Sequence, residues 1–170
     1  LPAGSCNLTS TSAGGKTLTA TYNGDANFSG SVSAGASHTV NPPGTTTAIA
    51  SSANPSVFGQ SVTFTATVTG SSPTGTVTFN DGVTAICTAV ALSAGQATCT
   101  TAALSVTTHS VTASYSGDAN NGASASLAVS QVVNKASTTT AITADTPDPS
   151  AVNTAYAVTA SLSVTAPGAG

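Results

Sequence analysis

The chain has 170 residues and a formal net charge of −3, with two Lys, no Arg, five Asp and no Glu, so charged residues make up only 4% of it. Two lysines neutralise too few phosphates for binding to nucleic acid or to an anionic membrane surface, and no run of about 18 apolar residues is present to span a bilayer. The composition, with 39% hydrophobic residues and abundant Val and Thr, instead favours an all-β fold whose polarity comes from hydroxyl groups.

The middle of the chain has the two-residue alternation of β-strands, broken by frequent turn signals. In the segment 60–69, Val, Phe and Ala alternate with Thr, so that one face of the predicted strand is apolar. Asp81-Gly82 and Ala94-Gly95 are typical of tight turns between strands. In the last predicted strand, Leu127 and Val129 are expected to point into the core. About seven strands are predicted, over residues 45–51, 60–69, 75–80, 83–92, 96–103, 107–116 and 123–133.

Several short segments recur at a spacing of 93 residues. ATYNGDANF at 20–28 is matched by ASYSGDAN at 113–120, and TTTAI at 45–49 recurs at 138–142. A period of about 90 residues is too long for a solenoid repeat and suits a free-standing β-sandwich of about 100 residues. The sequence therefore predicts a repeat of independent β-sandwich units.

The repeat divides the chain into three parts. The Asn-Pro-Ser run at 54–56 reappears as Asp-Pro-Ser at 148–150, which is 94 residues further and indicates one inserted residue in the last part. We predict the second half of one unit, one complete unit and the beginning of a further unit, covering residues 1–44, 45–137 and 138–170.

Five motifs carry a resemblance to a known family. They read TTTAI, NPSVFGQSVTFTATV, PTGTVTFNDG, LSAGQATC and HSVTASYSGDAN. They resemble the bacterial immunoglobulin-like repeat domains found in tandem in large surface and secreted proteins. The resemblance implies tandem immunoglobulin-like β-sandwiches with about seven antiparallel strands per repeat, an extracellular or cell-surface location, and neither catalysis nor a cofactor.

Two classes of function follow from this resemblance. The first is a structural role as a stalk, spacer or filament-forming element whose partners are the neighbouring repeats. The alternative is an adhesin module that binds a glycan or a host protein through strand-end loops, although the chain contains few of the aromatic residues enriched in binding hot spots. If the chain assembles with itself, the C-terminal part of one copy completes the N-terminal part of the next by strand complementation; otherwise the repeats are covalently continuous.

The three cysteines predict one disulfide. Cys87 and Cys99 flank a span with the pattern of two strands and a Gly-containing turn, so we expect a disulfide across this hairpin, with two buried free thiols as the alternative. A zinc site is disfavoured because it needs four ligands at short spacings. Cys6 aligns near Cys99 in the repeat, and its partner is expected to lie outside this chain or in a neighbouring copy.

The repeated Gly-Asp-Ala-Asn segment has two interpretations. Asp and Asn oxygens suit calcium, which makes Asp25, Asn27, Asp118 and Asn120 weak candidates for a calcium site. Calcium needs six to eight oxygen ligands, however, and no second acidic residue is adjacent, so we favour an Asx-type turn and no metal.

The tyrosine before each Gly-Asp-Ala-Asn segment has a predicted structural role. Tyr22 and Tyr115 resemble the tyrosine of the sandwich fold's tyrosine corner, whose hydroxyl group binds backbone.

The remaining polar residues give no catalytic pattern. His38 and His109 are predicted to be surface residues on strands, since the repeat places no histidine at the matching position of the other copy. Asp145 and Asp148 are close in sequence but lie in a proline-rich turn. No Gly-x-Ser-x-Gly motif is present, and we predict that the chain is not an enzyme.

Overall fold

The computed structural model describes residues 4–169, and within that range the secondary structure consists of strands and connecting loops without helix. This confirms the predicted all-β class. Residues 1–3 and Gly170, which belong to the predicted terminal parts 1–44 and 138–170, lie outside the described residues.

The strands fall into three groups along the chain. The N-terminal group comprises β1 (Gly14–Leu18), β2 (Thr21–Tyr22), β3 (Ser31–Val32) and β4 (Ala36–Val40). The central group comprises β5 (Thr46–Ser51), β6 (Ser56–Val57), β7 (Val62–Thr69), β8 (Thr76–Asp81), β9 (Thr84–Ala91), β10 (Gln96–Thr101), β11 (Thr108–Tyr115), β12 (Ser124–Ala125) and β13 (Val129–Asn134). The C-terminal group comprises β14 (Thr138–Thr146) and β15 (Ala157–Val164).

The central group forms two sheets that enclose one apolar core. One sheet has the order β10-β7-β5, and the other has the order β6-β13-β11-β8-β9 with β12 paired to β11. Every pairing is antiparallel except that of β6 with β13, which is parallel. The alternating side chains of β7 are buried as the sequence predicts, and they meet those of β8, β10 and β11. The buried core comprises Val62, Phe64, Ala66, Val68, Val77, Phe79, Ala97, Cys99, Val111, Ala113 and Tyr115.

The connection between β9 and β10 differs from the predicted hairpin. The turn around Ala94-Gly95 is closed by hydrogen bonds in both directions between Ser93 and Gln96, with N···O distances of 2.8 and 3.0 Å. Beyond it the strands separate, because β9 pairs with β8 in one sheet and β10 pairs with β7 in the other. The chain therefore crosses from one sheet to the other at this turn.

A disulfide joins Cys87 and Cys99, with 6.0 Å between their Cα atoms. Cys87 lies opposite Phe79 in its sheet, and Cys99 lies opposite Phe64 in the other. The expected pair is present, but the bridge links the two sheets beside the buried phenylalanines instead of crossing a hairpin. It therefore closes the sandwich at the edge where β9 and β10 run.

The last predicted strand, 123–133, is interrupted between β12 and β13. Ser126 N–H donates to the Ala113 carbonyl, and Ala113 N–H donates to Ser126 Oγ instead of to a backbone carbonyl. The two-residue alternation breaks at this point, and Leu127 is 92% exposed. The expectation that Leu127 packs in the core is wrong for this reason.

The N-terminal strands reproduce the pairing of the end of the central group. When 93 is added to each residue number, the pairing of β1 with β4 has the register of β11 with β13. In the same way, the pairing of β2 with β3 has the register of β11 with β12. We call residues related in this way counterparts. The structure thus gives residues 14–40 the strand pattern of 107–133.

The C-terminal hairpin reproduces the pairing of β5 with β7. Ile142 lies opposite Ala160, as Ile49 lies opposite Ala66. The offset is 93 residues in β14 as far as Ile142 and 94 residues in β15, and these values define the counterparts here.

A β-bulge explains the inserted residue of the last part. The register of β14 with β15 shifts after Ile142, and beyond that point Asp145 lies opposite Val158. This matches the pairing of Ser51 with Phe64 when 94 is added to both numbers. The extra residue is therefore accommodated inside β14, and the counterpart of Ser51 is Asp145.

Candidate functional site

The Gly-Asp-Ala-Asn segment after β11 folds into a turn around one carboxylate. Asp118 Oδ1 accepts a hydrogen bond from Asn120 N–H at 2.7 Å, and Asp118 N–H donates to the Asn121 carbonyl at 2.8 Å. Tyr115, which is buried, donates its hydroxyl proton to Asp118 Oδ2 at 3.1 Å. The expectation that this hydroxyl binds backbone is wrong, because the nearby carboxylate is the stronger acceptor.

The earlier copy of the segment folds in the same way. Asp25 Oδ1 accepts from Asn27 N–H at 2.7 Å and from Phe28 N–H at 2.9 Å, and Asp25 N–H donates to the Phe28 carbonyl. Tyr22 donates to Asp25 Oδ2 at 2.9 Å, although the tyrosine is 40% exposed here. The repeated sequence therefore specifies one local structure with or without a surrounding core.

The carboxylate of Asp118 also ties two loops together. Its Oδ2 accepts from the Thr74 backbone N–H at 2.7 Å and from the Thr74 hydroxyl at 2.9 Å, and the Asn121 side-chain amide donates to both carboxylate oxygens at 3.0 Å. These donors, above all the Thr74 and Asn120 N–H groups, hold the pKa of Asp118 well below its usual range. The lone pairs that calcium would need are occupied by N–H and O–H groups, which supports the turn interpretation.

Asn121 and Gly122 extend this turn to the segment that precedes β5. Asn121 is buried, and its side chain bonds both the N–H and the carbonyl of Ser71. Gly122 N–H donates to the Pro43 carbonyl at 2.7 Å, and the Thr45 hydroxyl donates to the Gly122 carbonyl at 2.7 Å. The turn thus fixes residues 41–44, part of the linker between β4 and β5, to the central sandwich. The sequence analysis did not identify Asn121, although its position beside the repeated motif was a signal.

His109 is buried, and its prediction as a surface residue is wrong. It lies on β11 in the same two-residue phase as the core residues Val111 and Ala113, which was the signal available in the sequence. Its Nδ1 lies 2.6 Å from Asp81 Oδ2, and its Nε2 lies 2.9 Å from the Ser105 carbonyl oxygen. Both partners accept hydrogen bonds, so the ring is fully satisfied when both nitrogens carry protons.

The surroundings of His109 raise its pKa. Burial acts to lower the pKa, but the hydrogen bond to the Ser105 carbonyl and the bond and charge of Asp81 outweigh it. The fold therefore stabilises the imidazolium form, and through it the connection of β11 to the end of β8.

This arrangement predicts that the central unit loses stability as the pH rises. A raised pKa in the folded chain means that the contribution is complete below about pH 6.5, the value of an unperturbed histidine, and is lost as the pH rises through the folded-state value. Urea unfolding at a series of pH values is expected to show this decline at pH values above that of an unperturbed histidine, about 6.5. In His109→Gln the decline should be absent, because the residue no longer titrates.

The exposed His38 supplies the matched control for this experiment. In His38→Gln the decline of unfolding free energy with pH should match that of the unchanged chain. An equal slope in His109→Gln and the unchanged chain would contradict the assignment.

Gln131 is a second buried polar group that the sequence analysis missed. Its side chain is fully buried, accepts from Ser51 Oγ at 2.6 Å, and donates to the Ala53 carbonyl at 2.9 Å and Ser56 Oγ at 3.1 Å. It thereby joins β13 to β5 and β6. The counterpart of Gln131 is His38 on β4.

Lys16 is the counterpart of His109. It lies opposite His38 in the pairing of β1 with β4, and its ammonium group donates to Ser12 Oγ at 2.8 Å. Ser12 is in turn the counterpart of Ser105, so the serine at this position accepts a hydrogen bond in both places, through its hydroxyl in Ser12 and through its carbonyl in Ser105.

The other predicted residues lie on the surface. Asp145 and Asp148 are exposed, in β14 and in the loop after it, and Cys6 is an exposed free thiol among the described residues. Residues 4–169 include no helix that is long and apolar enough to cross a bilayer.

Two β-sheets closed over a shared core, with the chain crossing between them, define an immunoglobulin-like β-sandwich. The family model described as "Bacterial Ig-like domain (group 3)" matches residues 49–134, about half of the chain. The chain therefore belongs to the bacterial immunoglobulin-like domain family. This family is generally non-catalytic and is typical of surface proteins. A comparison with curated protein sequences gives no match.

Proposed function

We propose that this chain is an extracellular spacer whose immunoglobulin-like units resist extension. The family membership and the disulfide support an oxidising, extracellular location. The linker bonds of Pro43 and Thr45 to Gly122 support a limited bending angle between successive units.

The parallel pairing of β6 with β13 is the observation that carries this proposal. The chain enters the central unit before β5 and leaves it after β13, so tension acts on these segments in opposite directions. Because β6 and β13 run parallel, that tension shears their cross-strand hydrogen bonds, which must then break together instead of one after another. We call segments 54–58 and 130–134 the terminal clamp.

Side chains reinforce the terminal clamp. Asn54 Nδ2 donates to the Ser130 carbonyl at 2.8 Å, and Asn54 Oδ1 accepts from Val132 N–H at 3.0 Å. Phe58 N–H donates to the Asn134 carbonyl at 2.8 Å. Asn54 therefore adds two hydrogen bonds to the backbone ladder between β6 and β13, which is short because β6 has two residues.

Stretching a single chain between its ends tests the proposed function. We expect Asn54→Ala to lower the force at which the central unit unfolds, because two bonds of the terminal clamp are lost. Asn120→Ala is the matched control, since Asn120 is exposed and bonds through its backbone. The proposal fails if Asn54→Ala leaves the force unchanged, or if Asn120→Ala lowers it equally.

A further inference from the structure

The chain contains two Asn-Gly pairs that the fold holds in different ways. They are Asn23-Gly24, after β2, and Asn121-Gly122, in the turn that bonds residues 41–44. Such a pair can modify itself, because the backbone nitrogen of the glycine can attack the side-chain carbonyl carbon of the asparagine. Glycine has no Cβ to shield that nitrogen. The freedom of both groups in the folded chain therefore decides whether the reaction proceeds.

Both reacting groups of Asn121-Gly122 are held in place. Asn121 is 2% exposed, and its Oδ1 accepts from Ser71 N–H at 2.8 Å. Its Nδ2 donates to the Ser71 carbonyl and to the Asp118 carboxylate, each at 3.0 Å. The nitrogen of Gly122 donates its proton to the Pro43 carbonyl at 2.7 Å. The attack requires that these bonds open together, so the fold protects this pair.

The groups of Asn23-Gly24 are free by comparison. Asn23 is exposed, and within residues 4–169 no hydrogen bond is made by its side chain or by the N–H of Gly24. Gly24 has a φ of +83°, and a Cβ at this position would lie 2.7 Å from the Phe28 carbonyl oxygen. The turn therefore requires glycine after Asn23, and it leaves the attacking nitrogen and the attacked carbon without restraint.

The exposure of Asn23 is a property of the turn and not of its place in the N-terminal group. Its counterpart is Ser116, which is exposed although it follows β11 in the complete central sandwich. The backbone also matches, since Gly24 and its counterpart Gly117 have φ values of +83° and +77°. An asparagine at this position therefore faces solvent in a complete unit as well.

We propose that Asn23 is a site of spontaneous deamidation through a cyclic imide with Gly24, and that the fold protects Asn121 from the same reaction. The Gly24 nitrogen forms a bond to Asn23 Cγ, the bond from Cγ to Nδ2 breaks, and Nδ2 leaves as ammonia with the proton of Gly24. Water then opens the imide at either carbonyl, which yields aspartate or isoaspartate. The product adds one negative charge to the turn, and the isoaspartate form adds one methylene group to the backbone.

The protected pair is the one that the spacer function needs. Asn121 bonds Ser71, and Gly122 bonds Pro43 in the linker that leads into the central unit. Deamidation of Asn121 would replace a buried amide that donates to the Asp118 carboxylate with a second carboxylate. The fold therefore confines the chemical change to a turn at the surface, and the joint between units is preserved.

Incubation of the folded chain in a mildly alkaline buffer tests the proposal, because the attacking nitrogen must lose its proton. Chymotrypsin cleaves after aromatic residues and thus places Asn23 and Asn121 on separate peptides for mass spectrometry. We expect deamidation at Asn23 to be about tenfold or more faster than at Asn121. A second incubation in guanidinium chloride, with the chain unfolded, should bring the two rates close together, because the protection of Asn121 is then lost.

Asn23→Ser is the matched variant, because serine occupies the counterpart position 116 and cannot form the imide. It should remove the fast modification and leave the slow one at Asn121 unchanged. Equal rates at Asn23 and Asn121 in the folded chain would overturn the proposal. So would a folded chain in which unfolding speeds the reaction at Asn23 as much as at Asn121, since the turn would then protect both pairs. Either result leaves the spacer function standing, because that function rests on the terminal clamp.

Discussion

Replacing Phe64 with alanine is expected to lower the free energy of unfolding of the central unit by about 3–5 kcal/mol. Phe64 is fully buried on β7, between Ser51 of β5 and Cys99 of β10. Truncation removes apolar area from the core and leaves a cavity that the two sheets, held by a disulfide, are poorly able to close. Since domains of this size are stable by about 5–15 kcal/mol, chemical denaturation followed by circular dichroism should show a much lower midpoint.

Phe28→Ala is the control for this prediction. Phe28 is the same residue type but is 51% exposed in the N-terminal group, so its removal should change the unfolding free energy of the central unit by less than about 0.5 kcal/mol. Equal losses in the two variants would mean that Phe64 is not part of the stabilising core.

Removing the inter-sheet disulfide is the second large effect that we expect. The double variant Cys87→Ala/Cys99→Ala should lose about 3 kcal/mol, because the bridge closes a loop with a sequence separation of 12 residues and restricts the unfolded chain. Unfolding of the unchanged chain in the presence of a reductant should show a loss of similar size.

Cys6→Ser is the control, because it replaces a cysteine that is not part of the disulfide. Cys6 is exposed and outside the disulfide, so its substitution should leave the unfolding curve unchanged with and without reductant. A double variant as stable as the unchanged chain would show that the bridge does not hold the sheets together.

Much of the candidate site was open to prediction because it is local. The Gly-Asp-Ala-Asn turn forms from bonds among neighbours such as Asp118 and Asn120, and it forms again at Asp25 where no core surrounds it. The expectations that failed concern the orientation of a side chain and the acceptor that it finds: His109 is buried against Asp81 and the Ser105 carbonyl, and the hydroxyl of Tyr115 bonds the carboxylate of Asp118, three residues further along the chain. His109 was predicted at the surface although it shares the two-residue phase of Val111 and Ala113, and its two hydrogen-bond acceptors make the buried position tolerable for a histidine.

The sequence by itself determined the β class and most strand segments of the central unit, because alternation and turn signals act over a few residues. Only the tertiary structure decided which strands share a sheet: β9 and β10 separate after a two-residue turn, and the disulfide therefore spans two layers. It also decided that Leu127 points outward and that Gln131 is fully buried. The physical reason is that burial depends on the surface that packs against a strand, and the long-range hydrogen-bond partners of the buried Gln131 and Asn121 lie about 50–80 positions away.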